Sequence, residues 1–363
     1  MMNGLTVQKE SHKPHTVILL VISILLVSPL FSRGFFTAHD IHCHMFKTVA
    51  TVEALLEGQL PPLIGPSLAN GFGYAWNIFY APLSAYIPAF LKIFIPTFIG
   101  SMKLFIFLTL FLSGITMYFF ALDISRSSRI ALLAAAFYLT APYRLEDIYI
   151  RGAMGEALAF VFFPIFFQGL YRLFYREGQK DYLIAVGLAG LILSHNISAV
   201  MAGTAAGFYL LAHFKQLFKP RIIKSLAMSG LIVLALSLFY LGPLLEHKLW
   251  GDYAVFWPEG MGSLKVMKER SLTLQQLLFS EFAPGKLSLN LGLQFLVPLV
   301  FVPLFWQHIR KNKNLFLFLL LGLGSVLVIT KFFPWTKMPG VFAFIQFPWR
   351  FLALAIFFLS RDC

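Results

Sequence analysis

The sequence has little charge. Only 12% of its 363 residues are Asp, Glu, Lys or Arg, where a soluble globule carries roughly a quarter. That argues against an ordinary water-soluble domain. Cysteine is almost missing, with Cys43 and Cys363 alone, so no disulfide framework holds the chain. There is no GxGxxG opening a helix and no GxxxxGK[ST], which removes support for a dinucleotide fold or an ATP motor. No HExxH occurs, and the cluster His39, His42, Cys43 and His44 has no zinc-site spacing. No internal repeat is visible, so the paired halves of many transporters are not evident.

Apolar residues are plentiful. They make up 58% of the chain, with 41 Phe, and the mean hydropathy is +0.77. Apolar runs of about 20 residues recur along its length, the signature of an integral membrane protein rather than of one signal peptide. The net charge of +13 does not imply nucleic acid. Its basic residues sit mostly in short connections between apolar runs, where positive-inside bias accounts for them.

The expected architecture is an all-α polytopic bundle, a single unit over 1–363 with about ten crossings and added helices on the outer surface. Crossings are expected near 16–36, 102–122, 130–141, 156–174, 181–194, 197–214, 224–244, 289–307, 315–330 and 344–359. Lys9 and Lys13 precede the first, placing the N-terminus in the cytoplasm. Residues 81–99 are apolar enough to cross. Counting them would put Arg126, Arg129 and every later basic loop outside, and Pro82, Pro88 and Pro96 disfavour a straight span. They are therefore read as a juxtamembrane or re-entrant helix.

The outward segments follow. The largest is a first loop, 37–101, opened by His39-Asp40 and a surface helix over 41–57. That helix turns Met45, Val49, Val52, Leu55 and Leu56 to the membrane and leaves Lys47, Glu53 and Glu57 on more polar positions. Then come 142–155, a corner at His195-Asn196, a long loop over 246–288 with Trp250, Tyr253, Phe256 and Trp257, and 332–343. Ten of the 16 acids lie in these segments.

Asp40 lies just past the first apolar run. It has the chemistry of a general base for an acceptor hydroxyl or amine, or of a ligand for a divalent ion such as Mg or Mn; a solvated helix N-cap is the alternative. The second loop packs Arg144, Glu146, Asp147, Arg151 and Glu156 together. Either these charges neutralise one another, or a carboxylate joins Asp40 as acid, base or metal ligand, with Asp147 the metal candidate, while an arginine grips a phosphate. His195 is suited to carry a proton or bind a phosphate, and Asn196 to orient a hydroxyl or to cap a turn. Arg350 sits on the side that positive-inside bias disfavours, so it either snorkels or holds a lipid phosphate. Tyr74 and Tyr80, in GFGYAWNIFYAP, offer faces on which sugars stack.

Six stretches carry a resemblance. They are HD at 39–40, LLEGQLPP at 55–62, GFGYAWNIFYAPL at 71–83, APYRLEDIYIRGAMGEALAF at 141–160, LSHN at 193–196 and FIQFPWRFL at 344–352. Together they resemble bacterial membrane proteins of the GT-C glycosyltransferase superfamily, including the YfhO-like group and the integral membrane group labelled 6-pyruvoyl-tetrahydropterin synthase-related. The resemblance implies a catalytic acid just after the first crossing, which is Asp40 here, and juxtamembrane helices in the first loop. It also implies a polyprenyl-phosphate-linked sugar as donor, with work done outside the bacterial cytoplasmic membrane on a glycan, lipid or protein acceptor. The second-loop acid of the family corresponds to Asp147 or Glu156. Typical relatives are longer, and the stop at Cys363 directly after an apolar run reads as a shortened product. A transporter or flippase of lipid-linked or polar solutes, and a non-catalytic envelope assembly protein, are the competing classes.

Overall fold

The computed structural model describes residues 12–176, 182–253, 263–279 and 287–362. Lys9, Phe256, Trp257 and Cys363, used above, lie outside the described residues. Among those described, the chain is helical throughout, with only two isolated β-bridges, Gly65 to Tyr74 and Leu272 to Thr330.

The main helices are α1 (Lys13–Leu26), α2 (Ile41–Leu56), α3 (Leu83–Leu91), α4 (Phe98–Ser125), α5 (Ser128–Thr140) and α6 (Met154–Tyr175). They continue with α7 (Leu183–Ser194), α8 (Asn196–Ala212), α9 (Pro220–Trp250), α10 (Leu293–Lys311), α11 (Lys313–Ile329) and α12 (Leu352–Asp362). Four of these, α4, α6, α9 and α10, are long and apolar enough to cross a membrane, and α1, α5, α7, α8, α11 and 348–360 form shorter apolar helices. The apolar faces of α9 and α10 lie open: Leu231, Leu234, Val300 and Leu304 are more than half exposed. Such surface belongs in lipid rather than in water.

α3 spans nine residues, about 14 Å of helix, against about 30 Å of hydrocarbon. It cannot cross alone, and α4 begins only at Phe98, where the Thr97 hydroxyl caps the Gly100 amide. Two boundaries differ from the sequence expectation. α9 runs on to Trp250, so 246–250 is helix rather than loop. The last apolar run begins with short 3-10 turns, Gly340–Ile345 and Pro348–Phe351, before α12.

Contacts sort the connections to two ends of the bundle. At one end, His12 meets Tyr118, Asp123 holds Arg172 and Arg176, Tyr175 meets His213, and Lys313 donates to the Ala212 carbonyl. At the other end, Tyr149 donates to the Leu26 carbonyl and Lys103 to that of Ser32, while Glu146 accepts from the Ser288 amide at 2.5 Å. Successive long helices therefore run in alternating directions. The first loop, the second loop, the His195 corner and 287–292 gather at the same end.

The burial of Lys47 on α2 differs from the expectation, which left it on a more polar position. The buried face of that helix is Ile41, His44, Lys47, Thr48, Ala50, Thr51 and Ala54, whereas Phe46 and Leu56 are exposed. Small and polar groups face the protein, and large apolar groups face outward. Helices packed beside lipid commonly follow this pattern, because small residues permit close approach and polar ones find partners only inside.

Candidate active site

The start of the first loop is tied to the second loop through backbone. The His39 amide donates to the Ile150 carbonyl at 3.0 Å, and the Asp40 amide to the Arg151 carbonyl at 2.8 Å. Gly152 makes this possible. It adopts φ +65°, and a Cβ there would lie 2.7 Å from the Ile41 nitrogen, so both the left-handed conformation and the close approach call for glycine.

A short helix, Pro142–Glu146, and one π turn, Asp147–Arg151, follow α5. The wide turn brings Arg151 back against the start of α6. Its Nη1 donates to Asp147 Oδ1 at 2.6 Å, Glu156 Oε2 at 2.8 Å and the Tyr143 hydroxyl at 2.9 Å. The Tyr143 hydroxyl donates in turn to Glu156 Oε1 at 2.6 Å. Arg350, from the turn before α12, brings Nε to 3.8 Å from Glu156 Oε2, and its Nη1 donates to the Ile345 carbonyl. Asp147 and Glu156 are both fully buried. Burial and the neighbouring Glu156 carboxylate push the Asp147 carboxyl up, against the pull of Arg151.

Tyr80 forms the next wall. A Cβ on Gly155 would meet the Tyr80 hydroxyl at 3.1 Å and the Ser194 carbonyl at 2.6 Å, so Gly155 lets the first loop and the His195 corner close on the start of α6. Burial raises the Tyr80 phenol well above its ordinary value. His195 Nδ1 caps α8 by accepting from the Ser198 amide and pairs with the Ser198 hydroxyl at 2.8 Å. Burial pulls its pKa down to about 3; Arg350, Arg151 and Lys47 add to this and Glu156 opposes it. His195 is therefore a neutral imidazole.

Asp40 itself stands exposed at the N-cap position just before α2, with no side-chain capping bond. Its carboxylate therefore does not do the capping that its place in the sequence suggests. His44 and Lys47 lie one and two turns further along the helix, buried against Tyr80 and Trp76. Neither was singled out by sequence patterning; the small, polar inner face of α2 is the signal that finds them.

Other candidates lie apart. Arg144 is fully buried, and its donors reach the carbonyls of Ala157 at 2.5 Å and Thr109 at 3.0 Å and the Ser113 hydroxyl. It fastens α4 to α6. The Asn196 side chain exchanges hydrogen bonds with the Tyr240 hydroxyl, at 2.7 and 3.0 Å, and so ties α8 to α9. Tyr74 is half exposed and touches the site only through Trp76, at 5.6 Å between ring centroids.

Asp40 and Asp147 do not make a metal pair. Asp147 is buried with the Arg151 guanidinium against it, a cation that would repel a divalent ion, while Asp40 lies in the open. Among the described residues no three His, Cys, Asp or Glu side chains gather as a ligand set.

An apolar cavity of about 540 Å³ opens between α8 and α11. Phe342, Phe351 and Leu354 are among its lining residues, and Phe351 directly follows Arg350 in the chain.

A buried acid-arginine cluster in a helical bundle with lipid-facing sides defines a membrane protein with a polar site at one end. The chain belongs to the family described as 6-pyruvoyl-tetrahydropterin synthase related domain, membrane protein, whose model matches residues 78–360. It is similar to an uncharacterised protein of Lactococcus lactis subsp. cremoris (strain MG1363), with 31% identity over 263 residues, covering 69% of this chain and 42% of that one. The chain thus spans about two fifths of the length of that relative. No solved structure matches.

Proposed function

We propose that the chain is the membrane-embedded catalytic part of a GT-C-type glycosyltransferase. It moves a sugar from a polyprenyl-phosphate carrier to a glycan, lipid or protein acceptor outside the bacterial cytoplasmic membrane. In this reading α1 and α4 to α12 are ten crossings, the N-terminus is cytoplasmic, and α2 and α3 lie along the outer surface.

One observation carries the reading. The Asp40 backbone, whose carboxylate is exposed, is bonded to the Arg151 carbonyl, Arg151 and Arg350 both reach Glu156, and Phe351, next to Arg350 in the chain, lines the apolar cavity. A base, a pair of cations and an apolar groove are what a lipid phosphate donor and a hydroxyl or amine acceptor require.

Asp40 takes the proton of the acceptor as the acceptor oxygen or nitrogen attacks the anomeric carbon. The bond from that carbon to the carrier phosphate breaks, and the phosphate oxygen leaves with the electron pair. Arg151 and Arg350 steady the departing phosphate. Glu156, Asp147 and Tyr143 hold the two guanidinium groups in place through the bonds described above. His195, being neutral, offers a hydrogen bond rather than a charge.

The test is turnover of polyprenyl-phosphate-linked sugar by the purified full-length protein and by its Asp40→Asn variant. A loss of about 10²- to 10⁴-fold is expected for removal of a general base. Equal turnover by the two proteins would remove Asp40 from the chemistry.

A further inference from the structure

Lys47 is 3% exposed, yet its ammonium has no hydrogen-bond partner and no ion pair among the described residues. Its Nζ sits 3.0 Å from the centroid of the Tyr80 ring and 4.3 Å from that of Trp76. Aromatic faces soften the loss of water around a cation, but they do not replace a counter-charge. Asp40 and Cys43, on the same side of α2, act on it only from a distance. Burial accordingly pulls the Lys47 ammonium well below the ordinary lysine value.

Lys47 is not alone in lacking partners. The buried Nδ1 of His44 and Nε1 of Trp76 also have none, and both rings lie against Tyr80. Ser194 Oγ, at the carbonyl that abuts Gly155, is in the same condition. Each of these groups is able to donate a hydrogen bond. Buried donors rarely go unanswered, and several sharing one aromatic wall point to a common acceptor.

The charges decide which kind. Asp147 and Glu156 are matched by Arg151 and Arg350 across contacts of 2.6, 2.8 and 3.8 Å. Those guanidinium groups are thus already engaged by carboxylates of the cluster. An incoming anion needs a cation that is not already matched. Arg144 also has no ion pair among the described residues, but its Nη1 and Nη2 donors are spent on main-chain carbonyls between α4 and α6, whereas Lys47 stands on the Tyr80 wall with its donors unused.

We propose that Lys47, with His44 and Trp76 as neutral donors, forms an oxyanion-binding site for a phosphate group, and that Lys47 supplies its net positive charge. The proposal deepens the transferase reading and rests on it for the role of the site, with Arg151 and Arg350 bordering the phosphate from the other side of Tyr80. The ligand chemistry is a phosphate monoester, from a lipid headgroup or from free phosphate.

The test is calorimetric titration of the full-length protein in detergent with farnesyl phosphate, farnesol and inorganic phosphate. Lys47→Met is expected to weaken phosphate-bearing probes about tenfold or more, the scale of one charge-assisted hydrogen bond, and to leave farnesol unchanged. Lys47→Arg keeps the charge and should stay within about threefold of the parent. Loss of farnesyl phosphate binding in a protein that ignores inorganic phosphate supports a lipid headgroup as ligand. Loss of inorganic phosphate binding supports the free ion. Unchanged affinity of Lys47→Met for both overturns the site, as does farnesol binding as tightly as farnesyl phosphate. Lys47→Met removes a buried unmatched charge and should fold, which its melting temperature checks. Should it not, Trp76→Phe removes one donor and must itself weaken phosphate binding, or the site is overturned. Lys47-dependent phosphate binding without sugar transfer would sink the transferase reading and leave this one intact. Transfer with a KM for the donor that Lys47→Met does not alter would do the reverse.

Discussion

The amide of Asp40 donates a 2.8 Å hydrogen bond to the carbonyl of Arg151. This bond sets the candidate base beside the arginine that organises the buried acids. Its geometry depends on Gly152, whose φ of +65° and missing Cβ let the Ile41 backbone come close. Gly152→Ala therefore meets both a strained backbone and a clash with main chain, which cannot swing aside. A destabilisation of about 1–3 kcal/mol is expected, read as a lowered melting temperature, together with loss of any activity that Asp40 supports.

Arg151 is the counter-charge for two fully buried carboxylates. Arg151→Met should destabilise the protein by about 3–5 kcal/mol, because it leaves uncompensated charge in the interior. Adding Glu156→Gln should restore part of that loss. A double-mutant cycle on thermal or denaturant unfolding in detergent measures the coupling; strict additivity would show that the pair is not an energetic unit.

Arg144 is predicted to act on stability alone. Its guanidinium bonds two main-chain carbonyls and a hydroxyl between α4 and α6 and lies 4.3 Å from the Phe160 ring centroid. Arg144→Met should lower the melting temperature, and the protein that remains folded should show unchanged affinity for farnesyl phosphate. Weakened affinity in the folded fraction would place Arg144 at the ligand after all.

Glu146 gives a pH dependence. Burial raises its carboxyl to about 7, against the Ser288 amide and Arg151, which favour the charged form. The folded protein thus holds this proton more tightly than the unfolded chain does. Its contribution to stability is fully present below the ordinary carboxylate range and is lost as pH rises towards 7. Comparing melting temperature from pH 5 to 8 in the parent and in Glu146→Gln should show a downward slope that the variant lacks.

Cys43 is a free, exposed thiol at the start of α2. With Cys363 changed to Ser, an impermeant maleimide added to intact cells should label it if this end of the bundle faces outward. Labelling only after the cells are opened would invert the proposed orientation.

Much of the helix plan was legible in sequence, because length, apolarity and proline placement are local properties. The long helices fall where the apolar runs were placed, and α3 was recognised from Pro82, Pro88 and Pro96 and from the basic loops beyond it. The unusual positions of Arg151, Glu156 and Arg350 at helix ends mark them as candidates, whereas their meeting at Glu156 is a matter of packing. Lys47 carries no such mark, because the stripe of Met45, Val49 and Leu56 is the conspicuous face of α2 in sequence and its small and polar face turns to the protein. Arg144 and Asn196 look like their functional neighbours in sequence. What separates them is Thr109, Ala157 and Tyr240, partners set by packing between distant helices, and no local pattern names those.

The contact between Gly152 and Ile41 also bears on how the molecule is made. The strand of chain that opens the first loop finds its backbone partners in residues translated more than a hundred positions later. In the proposed topology, α2 would stay undocked during synthesis until the second loop has been made. Fragments ending before Gly152 should then leave α2 undocked and open to proteases, whereas those reaching the start of α6 should protect it.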